Sequence, residues 1–316
     1  MFEKYFFITL LFFVGIVKSY MRVDYPYEVR LASLKVENQN VKMAYMDIAP
    51  SVPTGKTVVL LHGKNFNGYY WKDVISALTN KGYRVIVPDQ IGWGKSDKPN
   101  VHYSFHLLAA NTKALLDLLK IDKVTVLGHS MGGMLAARFS LLYPKMVEKL
   151  VLENPIGLED YKTFVPYQPL EELVVKEKNA TYDSYKKYQQ SYYPIWKPEY
   201  EQYVAAQAEA LTDPEFPQTA MANALTYEMI YEQPIVYELK DIAVPTLLII
   251  GQADRTVVGK DLLTVEQKMN HGNYPALGKM ANQQIKGSQL VELDGIGHIP
   301  HIQDLEQFKN ALFKFL

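Results

Sequence analysis

The stretch from Lys123 to Ser140, KVTVLGHSMGGMLAARFS, decides the fold. It opens with a short aliphatic and β-branched run, which predicts a buried strand, and it closes with apolar residues at helical spacing. Between them lies a G-x-S-x-G turn centred on Ser130. Sterics explain why glycine occurs at both flanking positions, Gly128 and Gly132: so tight a turn leaves no room for a Cβ on either side. The stretch therefore predicts strand, tight turn and helix, with Ser130 at the turn.

A strand that passes into a helix through G-x-S-x-G is typical of the nucleophile elbow of serine hydrolases. At such an elbow the hydroxyl of Ser130 faces the helix N-terminus. There the backbone N–H of Met131 and the positive end of the helix dipole can stabilise a developing negative charge. The motif is common, however, so a glycine-rich turn with an ordinary helix-capping serine fits these residues equally well. Evidence from the rest of the chain is needed to distinguish a catalytic serine from a capping serine.

Composition excludes several classes of protein. The chain has 316 residues, 48% hydrophobic and 21% charged, which fits one large α/β domain with an insertion or two ordinary domains. A net charge of -1 gives no basic field for nucleic acid. The absence of cysteine excludes a thiol nucleophile, a disulfide framework and a thiolate metal site. The seven histidines show no strong metal-binding spacing, so we expect no metal and no cofactor.

The N-terminus predicts export. Tyr5–Val17 is an apolar run that is short for a membrane span of about 20 residues but typical of the core of a signal peptide. Ser19 is a small residue suited to the position before cleavage. We predict a signal peptide at 1–19 and a periplasmic or secreted mature protein, although Glu3 weakens the positive charge of the leader. An uncleaved anchor, which would be the only membrane contact, and a buried N-terminal helix are the alternatives.

Apolar strands alternate with amphipathic helices along most of the chain. The predicted strands are 29–36, 41–48, 57–61, 84–87, 123–127, 149–152, 246–250 and 290–293. The predicted helices outside the central region are 71–80, 104–120, 134–142 and 305–316. Alternation of this kind predicts an α/β protein whose mostly parallel sheet is covered by helices on both faces.

The central region, 158–240, has a different character. It holds 12 of the 23 tyrosines and no strand-like run, but four helical patterns at 170–178, 182–193, 199–211 and 219–231. We predict a helical cap inserted between two parts of an α/β core, 20–157 and 241–316. Tyrosines suit a mostly apolar substrate group that carries some oxygens, although we expect more than half of them to pack cap helices together.

Three polar residues follow predicted strands in an order that chemistry explains. A serine hydroxyl needs an imidazole as general base, and the imidazole needs a carboxylate to fix its tautomer. In hydrolases of this kind the three come in the chain order serine, acid, histidine, each just past a strand. Ser130, Asp254 and His298 satisfy both the order and the placement. We therefore predict that these three residues are catalytic.

Each assignment has a rival. His301 lies one turn beyond His298, which sits in a glycine turn, and His301 is the alternative base or else a pocket residue. Glu153 ends the strand after the elbow helix and is the alternative acid, or else a structural or cap-contacting carboxylate. His129 lies inside the elbow, and we expect its side chain to point away from the partner of Ser130.

A hydrolytic site of this kind also needs two N–H donors for the oxyanion. Met131 supplies one, and Lys64, which follows His62 and Gly63 after the strand 57–61, is the natural candidate for the other. Asn65 can add its side-chain amide, whereas we expect His62 to pack the loop without touching substrate. The candidate pocket residues are Asn65, Phe66, Trp93 and Glu153.

Over residues 29–316 the chain resembles the α/β-hydrolase superfamily, in a serine esterase-like form with a helical cap. The matching pieces are HG at 62–63, the D-x-x-G-x-G-x-S loop at 89–96, GHSMGG at 128–133, Asp254 at a strand end and GIGH at 295–298. The resemblance implies an eight-stranded, mostly parallel sheet with the second strand antiparallel. It also implies acyl transfer without a cofactor, in which Ser130 forms an acyl-enzyme and water activated by His298 releases the acid.

Departures from related subfamilies narrow the expected reaction. Epoxide hydrolases and haloalkane dehalogenases carry aspartate where this chain has Ser130. Proline iminopeptidases show HGGPG where this chain has HGKNF at 62–66, and carbon–carbon bond hydrolases have a loop richer in glycine. We therefore expect a carboxylic ester hydrolase acting on a small-molecule ester, lactone or macrolactone. A thioesterase or a carbon–carbon bond hydrolase is the alternative, and a non-catalytic ligand-binding protein on the same fold is a third possibility.

Overall fold

A single eight-stranded sheet runs through the computed structural model, which describes residues 24–316. The predicted signal peptide at 1–19 lies outside the described residues. The strands are β1 Val29–Val36, β2 Gln39–Ile48, β3 Thr57–Leu61, β4 Arg84–Pro88, β5 Val124–His129, β6 Val147–Glu153, β7 Thr246–Gly251 and β8 Gln289–Leu293. Their order in the sheet is β1-β2-β4-β3-β5-β6-β7-β8, with β2 antiparallel to both neighbours and every other pair parallel. This architecture confirms the predicted fold.

The central strands are covered on both faces. Every residue of β3, β5 and β7 is buried, which explains why these strands read as continuous apolar runs. Alternate residues of β3 enter two different core layers: Val59 and Leu61 on one face, Val58 and Leu60 on the other. The β1–β2 hairpin at the sheet edge instead alternates between buried and exposed residues in β1.

Helices fill both faces of the sheet. They are α1 Lys72–Asn80, α2 Phe105–Leu118, α3 Met131–Leu142, α4 Leu170–Lys178, α5 Tyr182–Gln190, α6 Glu201–Ala208, α7 Phe216–Glu232, α8 Val265–Asn270, α9 Tyr274–Gln284, α10 Pro300–Gln303 and α11 Leu305–Phe315. Apolar side chains of α2, α3 and α9 pack on one face, and those of α1 and α11 pack on the other. No helix among residues 24–316 is long and apolar enough to cross a membrane.

The sequence pattern did not predict α8 and α9. The buried face of α9 is formed by Tyr274, Gly278 and Ala281, and two of these three are too small to register as an apolar stripe. Gly278 lets the helix approach Ile250 of β7 closely, since a Cβ at that position would lie 2.9 Å from the Ile250 side chain. The close packing of α9 on β7 depends on the absence of a side chain at Gly278, and a pattern of hydrophobic residues does not reveal such a contact.

The region from 158 to 240, which we call the cap segment, contains α4–α7 and short 3₁₀ turns but no strand. It leaves the sheet after β6 and returns to it before β7. Several of its tyrosines, such as Tyr193 and Tyr200, stack on one another inside the segment. Others contact the loops that follow β3 and β8, as described below.

Candidate active site

Ser130 occupies a strained turn between β5 and α3. Its backbone angles are φ 57° and ψ -120°. Residues other than glycine seldom adopt a positive φ. A Cβ on Gly128 would lie 2.0 Å from the carbonyl oxygen of Gly132, and one on Gly132 would lie 2.0 Å from that of Leu61. The surrounding backbone therefore holds the serine in this conformation, in agreement with the steric argument from the sequence.

The structure brings Ser130, His298 and Asp254 into one hydrogen-bonded line. Nε2 of His298 lies 2.9 Å from Oγ of Ser130, and Nδ1 lies 2.7 Å from Oδ2 of Asp254. Asp254 follows β7 and His298 follows β8, so the two strand ends position them beside the elbow. All three are buried, with 6%, 2% and 1% of their surface exposed for the serine, the aspartate and the histidine.

Asp254 is held as a carboxylate by its neighbours. Its Oδ1 accepts a hydrogen bond from the backbone N–H of Thr256 at 2.8 Å, and its Oδ2 accepts one from Nδ2 of Asn154 at 2.7 Å. Burial alone would raise the pKa of this carboxyl, but the adjacent His298 and these hydrogen bonds keep it below the usual value. Because a carboxylate can only accept, Nδ1 carries the imidazole proton and Nε2 is left to accept a hydrogen bond from Oγ of Ser130.

Asn154 is a site residue that the sequence analysis missed. It has a positive φ of 37°, its Oδ1 accepts a hydrogen bond from the backbone N–H of Gly251, and its Nδ2 reaches Asp254. The residue bridges the ends of β6 and β7. Its role depends on those strands being neighbours, and no motif in the sequence marks that relationship.

Glu153 does not lie in the pocket, and the prediction that it lines a substrate pocket is wrong. Its carboxylate is fully buried and lies 2.9 Å from Nδ1 of His301, whose backbone N–H donates a second hydrogen bond to it. The ring of Trp71 stacks on His301, with ring centroids 4.2 Å apart. The rival acid and the rival base thus pair with each other, and neither of their side chains is hydrogen-bonded to Ser130 in the described part of the chain.

His129 is closer to the proposed base than the sequence analysis expected. Its ring centroid lies 4.9 Å from that of His298, and its Nε2 donates to the backbone carbonyl of His298 at 2.8 Å. Its Nδ1 lies 3.1 Å from the hydroxyl of Tyr70, which accepts a hydrogen bond from Gly63 N–H. Burial first, and then the nearby His298 and His301, lower the pKa of His129 well below its usual value. The neutral ring therefore links the loop after β3 to the backbone of His298.

The loop after β3 lies against the elbow. A Cβ on Gly63 would lie 3.2 Å from Cβ of Ser130, so this loop packs directly against the serine. Within residues 24–316, no atom accepts a hydrogen bond from the backbone N–H of Lys64 or of Met131. The carbonyl of Lys64 is fixed by Nε1 of Trp93 at 2.6 Å.

The buried His62 braces the same loop. Its Nε2 accepts the backbone N–H of Gln90 at 3.0 Å, and its Nδ1 donates to the carbonyl of Gly63 at 2.9 Å. Burial lowers the pKa of His62, which favours the neutral ring that these two bonds require. This placement agrees with the packing role expected from the sequence.

The side chains of Lys64 and Asn65 face the cap segment. Nζ of Lys64 lies 3.5 Å from Oε1 of Glu177 in α4. Nδ2 of Asn65 donates to the hydroxyl of Tyr192, 2.8 Å away in the turn after α5. The Asn65 amide is therefore engaged with the cap rather than presented to Ser130, contrary to the suggestion that it supplies an oxyanion donor.

A cavity of about 380 Å³ opens on the outer side of this loop. Its core-side wall includes Lys64, Asn65, Phe66 and Trp93, so four of the expected residues lie near one another. Most of the lining residues carry charged, amide or hydroxyl groups, and Tyr185 is the one cap tyrosine among the described residues that lines it. The chamber is more polar than the mostly apolar one expected from the tyrosine-rich cap.

Comparison with known proteins places the chain in a family. It belongs to the α/β-hydrolase fold family, whose model matches residues 56–305. It is 31% identical over 248 residues to a 2-hydroxy-6-oxononadienedioate/2-hydroxy-6-oxononatrienedioate hydrolase of Paraburkholderia xenovorans, covering 72% of this chain and 80% of that protein. Other relatives match over less of their length: three mycobacterial proteins are 37% identical over 105 residues, which is 30% of their length.

One solved structure is similar over nearly its whole length. It is a probable hydrolytic enzyme from Pseudomonas aeruginosa PAO1, 45% identical, with a TM-score of 0.91 over 93% of this chain and 95% of that one. These likenesses establish a hydrolase of the α/β fold. They do not show whether an ester bond or a carbon–carbon bond is cleaved, so that question depends on the geometry of the site.

Proposed function

We propose that this protein is a serine hydrolase that cleaves carboxylic esters, including lactones, through an acyl-enzyme on Ser130. The observation that carries the proposal is the hydrogen-bonded line from Asp254 through His298 to Ser130. Two further features support it: the strained elbow that presents the hydroxyl, and the two backbone amides of Lys64 and Met131 that have no acceptor in the described part of the chain.

The proposed reaction assigns a residue to each step. Oγ of Ser130 attacks the ester carbonyl carbon while its proton passes to Nε2 of His298. Asp254 stabilises the imidazolium that results, and the amides of Lys64 and Met131 donate to the oxyanion. The alcohol then leaves with the proton from His298. Water attacks the acyl-enzyme with His298 as base, and the acid is released with Ser130 restored.

The surroundings suggest a substrate with two different ends. Close to Ser130 the walls are aromatic, with Phe66 and the rings of Tyr192 and His298. Beyond the loop, the cavity is lined mainly by polar and charged side chains. We infer an ester whose reacting part is compact and apolar and whose remainder carries oxygens or other polar groups. A thioester or macrolactone satisfies the same requirement.

Carbon–carbon bond hydrolysis is the second candidate. The relative from Paraburkholderia xenovorans is named as a hydrolase of an oxononadienedioate, and it matches 72% of this chain. The loop HGKNF at 62–66 is poorer in glycine than expected for that activity, which favours the ester reading. A catalytically silent ligand-binding protein is the third candidate, since fold alone does not give activity.

Two measurements separate these candidates. We expect wild-type protein to hydrolyse a short p-nitrophenyl ester and to gain one fluorophosphonate adduct at Ser130, and Ser130→Ala to lose both. Ser140→Ala is the matched control, because Ser140 is a buried serine of the helix that follows Ser130, and its hydroxyl donates to the backbone carbonyl of Ala137. Turnover of a ring-cleavage dienoate without esterase activity would favour the second candidate. Full esterase activity in Ser130→Ala would exclude the proposal.

A further inference from the structure

The proposed reaction site is separated from the cavity. Neither Ser130 nor His298 is among the residues that line the cavity, and both are buried. The loop 63–67 lies between them: Gly63 packs on Ser130, while the next four residues line the cavity. A substrate that reacts at Ser130 and also reaches the cavity must therefore extend past this loop.

Tyr192 of the cap segment completes the separation. Its ring stacks on the imidazole of His298, with centroids 4.8 Å apart and an interplanar angle of 29°. Its hydroxyl accepts the hydrogen bond from Nδ2 of Asn65, a residue of the cavity wall. One side chain thus contacts both the proposed base and the loop that lies between Ser130 and the cavity.

The backbone of Tyr192 is tied to the loop that carries His298, so a change at Tyr192 that spares His298 has to come from its side chain. The carbonyl of Tyr192 accepts the backbone N–H of His298 at 2.8 Å. It also lies so close to Gly297 that a Cβ there would be 2.2 Å from the carbonyl oxygen. Moving the cap backbone here would displace His298 itself. Rotation of the Tyr192 side chain breaks the Asn65 hydrogen bond and the stack on His298, and it also disturbs the contacts of Tyr192 with Tyr188 and Phe66.

We propose that Tyr192 determines which substrates react, because its side chain must leave Asn65 before a substrate can extend from Ser130 into the cavity. This inference rests on the proposed function. A compact ester displaces the Tyr192 side chain only while it enters. A long or branched ester keeps this side chain displaced throughout the reaction. The Asn65–Tyr192 hydrogen bond therefore acts selectively against large substrates.

The neighbouring Tyr193 provides a matched control. Its ring stacks on Tyr200 with centroids 4.0 Å apart, and its buried hydroxyl has no hydrogen-bond partner among the described residues. Tyr193→Phe and Tyr192→Phe remove the same atom from adjacent residues of the same segment. Only the second breaks a bond to the loop beside Ser130.

The test measures the rate at which Ser130 is labelled by two fluorophosphonates, one with small alkyl groups and one with a long chain. Tyr192→Phe and Asn65→Ala remove the two ends of one hydrogen bond, whose ordinary strength corresponds to a factor of about five. We expect each variant to react about five-fold faster with the long probe, less than two-fold faster with the small one, and the double variant to match the singles. Tyr193→Phe should behave as wild type.

The outcomes separate the two proposals. If wild-type Ser130 is labelled by neither probe, the proposed function fails and the inference falls with it. If Ser130 is labelled but the variants do not change the ratio of the labelling rates for the long and the small probe, the role of Tyr192 is refuted while the proposed function stands. The same conclusion follows if the effects of Tyr192→Phe and Asn65→Ala add in the double variant. Thermal unfolding midpoints of all variants check that the fold is retained, and Tyr192→Phe alone suffices if Asn65→Ala does not fold.

Discussion

The carboxylate of Glu153 lies 2.9 Å from Nδ1 of His301, and both side chains are fully buried. One strand away, Asp254 makes the corresponding contact with His298. Two acid–histidine pairs thus stand side by side at the ends of β6 and β7, and only the second reaches Ser130. We infer that the first pair supports the fold, while the proposed function assigns the second pair to the reaction.

Replacing Glu153 with glutamine should therefore destabilise the protein without abolishing activity. The buried carboxylate accepts two hydrogen bonds from His301, and a hydrogen bond to a charged group contributes about 1.5–3 kcal/mol. We expect Glu153→Gln to lower the free energy of unfolding in urea by that order, while kcat of the folded fraction for a p-nitrophenyl ester stays within a few-fold of wild type.

The contrasting variant is Asp254→Asn. Loss of the carboxylate that fixes the tautomer of the base costs roughly 10⁴-fold in kcat in a related triad, and we expect a loss of that order here. An exchange of the two results, with Glu153→Gln inactive and Asp254→Asn active, would reassign the acid to Glu153.

The sequence predicted some of these relationships and not others, for a physical reason. Ser130, Asp254 and His298 each follow a strand of a parallel sheet, and the carboxyl ends of such strands meet at one edge, so local patterns sufficed to bring them together. The pairing of Glu153 with His301 and the contact of Tyr192 with His298 depend on how segments far apart in the chain pack. Such contacts leave no local pattern, which is also why Asn154 was missed.

Asn154 should tune the carboxylate that it touches. Asn154→Gly removes the side chain while tolerating the positive φ at this position. The lost hydrogen bond to a charged group is worth about 1.5–3 kcal/mol, so kcat should fall by roughly ten-fold or more. The pKa of Asp254 should rise toward its usual value, because one of the interactions that lowers it is gone.

The pH dependence distinguishes this effect from general damage. A depressed carboxyl pKa stabilises the folded state above the unfolded value, about 3.9, and that stability is lost as the pH falls through the folded pKa. With a higher folded pKa, Asn154→Gly should show a smaller gain of stability between pH 3 and pH 6 than wild type. An identical pH dependence in urea unfolding would contradict the assigned contact.

His129 should make the protein sensitive to mild acid. Its folded pKa is well below the value of about 6.5 that an unfolded chain has, so below pH 6.5 the unfolded state binds the proton more readily. The free energy of unfolding should then fall with pH, by at most about 1.4 kcal/mol per pH unit from this residue. His129→Gln cannot take up the proton, so its slope between pH 7.5 and pH 5.0 should be shallower.

The test compares the slope of the unfolding free energy against pH in wild type and in His129→Gln. The absolute stability is not compared, because the substitution can also change it at every pH. His62 is buried with a lowered pKa in both proteins, so its contribution cancels in the comparison. Equal slopes for variant and wild type would show that His129 carries its proton in the folded state.

Lys64 contributes two groups that point in different directions, and they can be separated. Its ammonium lies 3.5 Å from Glu177 in the cap segment, whereas its backbone N–H has no acceptor within residues 24–316 and belongs to the loop that packs on Ser130. Lys64→Met removes the charge and keeps the amide. Because the proposed oxyanion donor is the backbone amide, which Lys64→Met keeps, kcat for a compact ester should stay within about three-fold of wild type.

Lys64→Pro removes the N–H itself, and loss of one oxyanion donor costs about 10²–10³ in kcat. The two variants share the loss of the ammonium, so the difference between them measures the amide, provided that circular dichroism shows both to be folded. If Lys64→Met is as slow as Lys64→Pro, the ammonium contacts the reacting group and the amide does not. If both retain activity, the second donor lies elsewhere, and the backbone N–H of Asn65 in the same loop is the next to test.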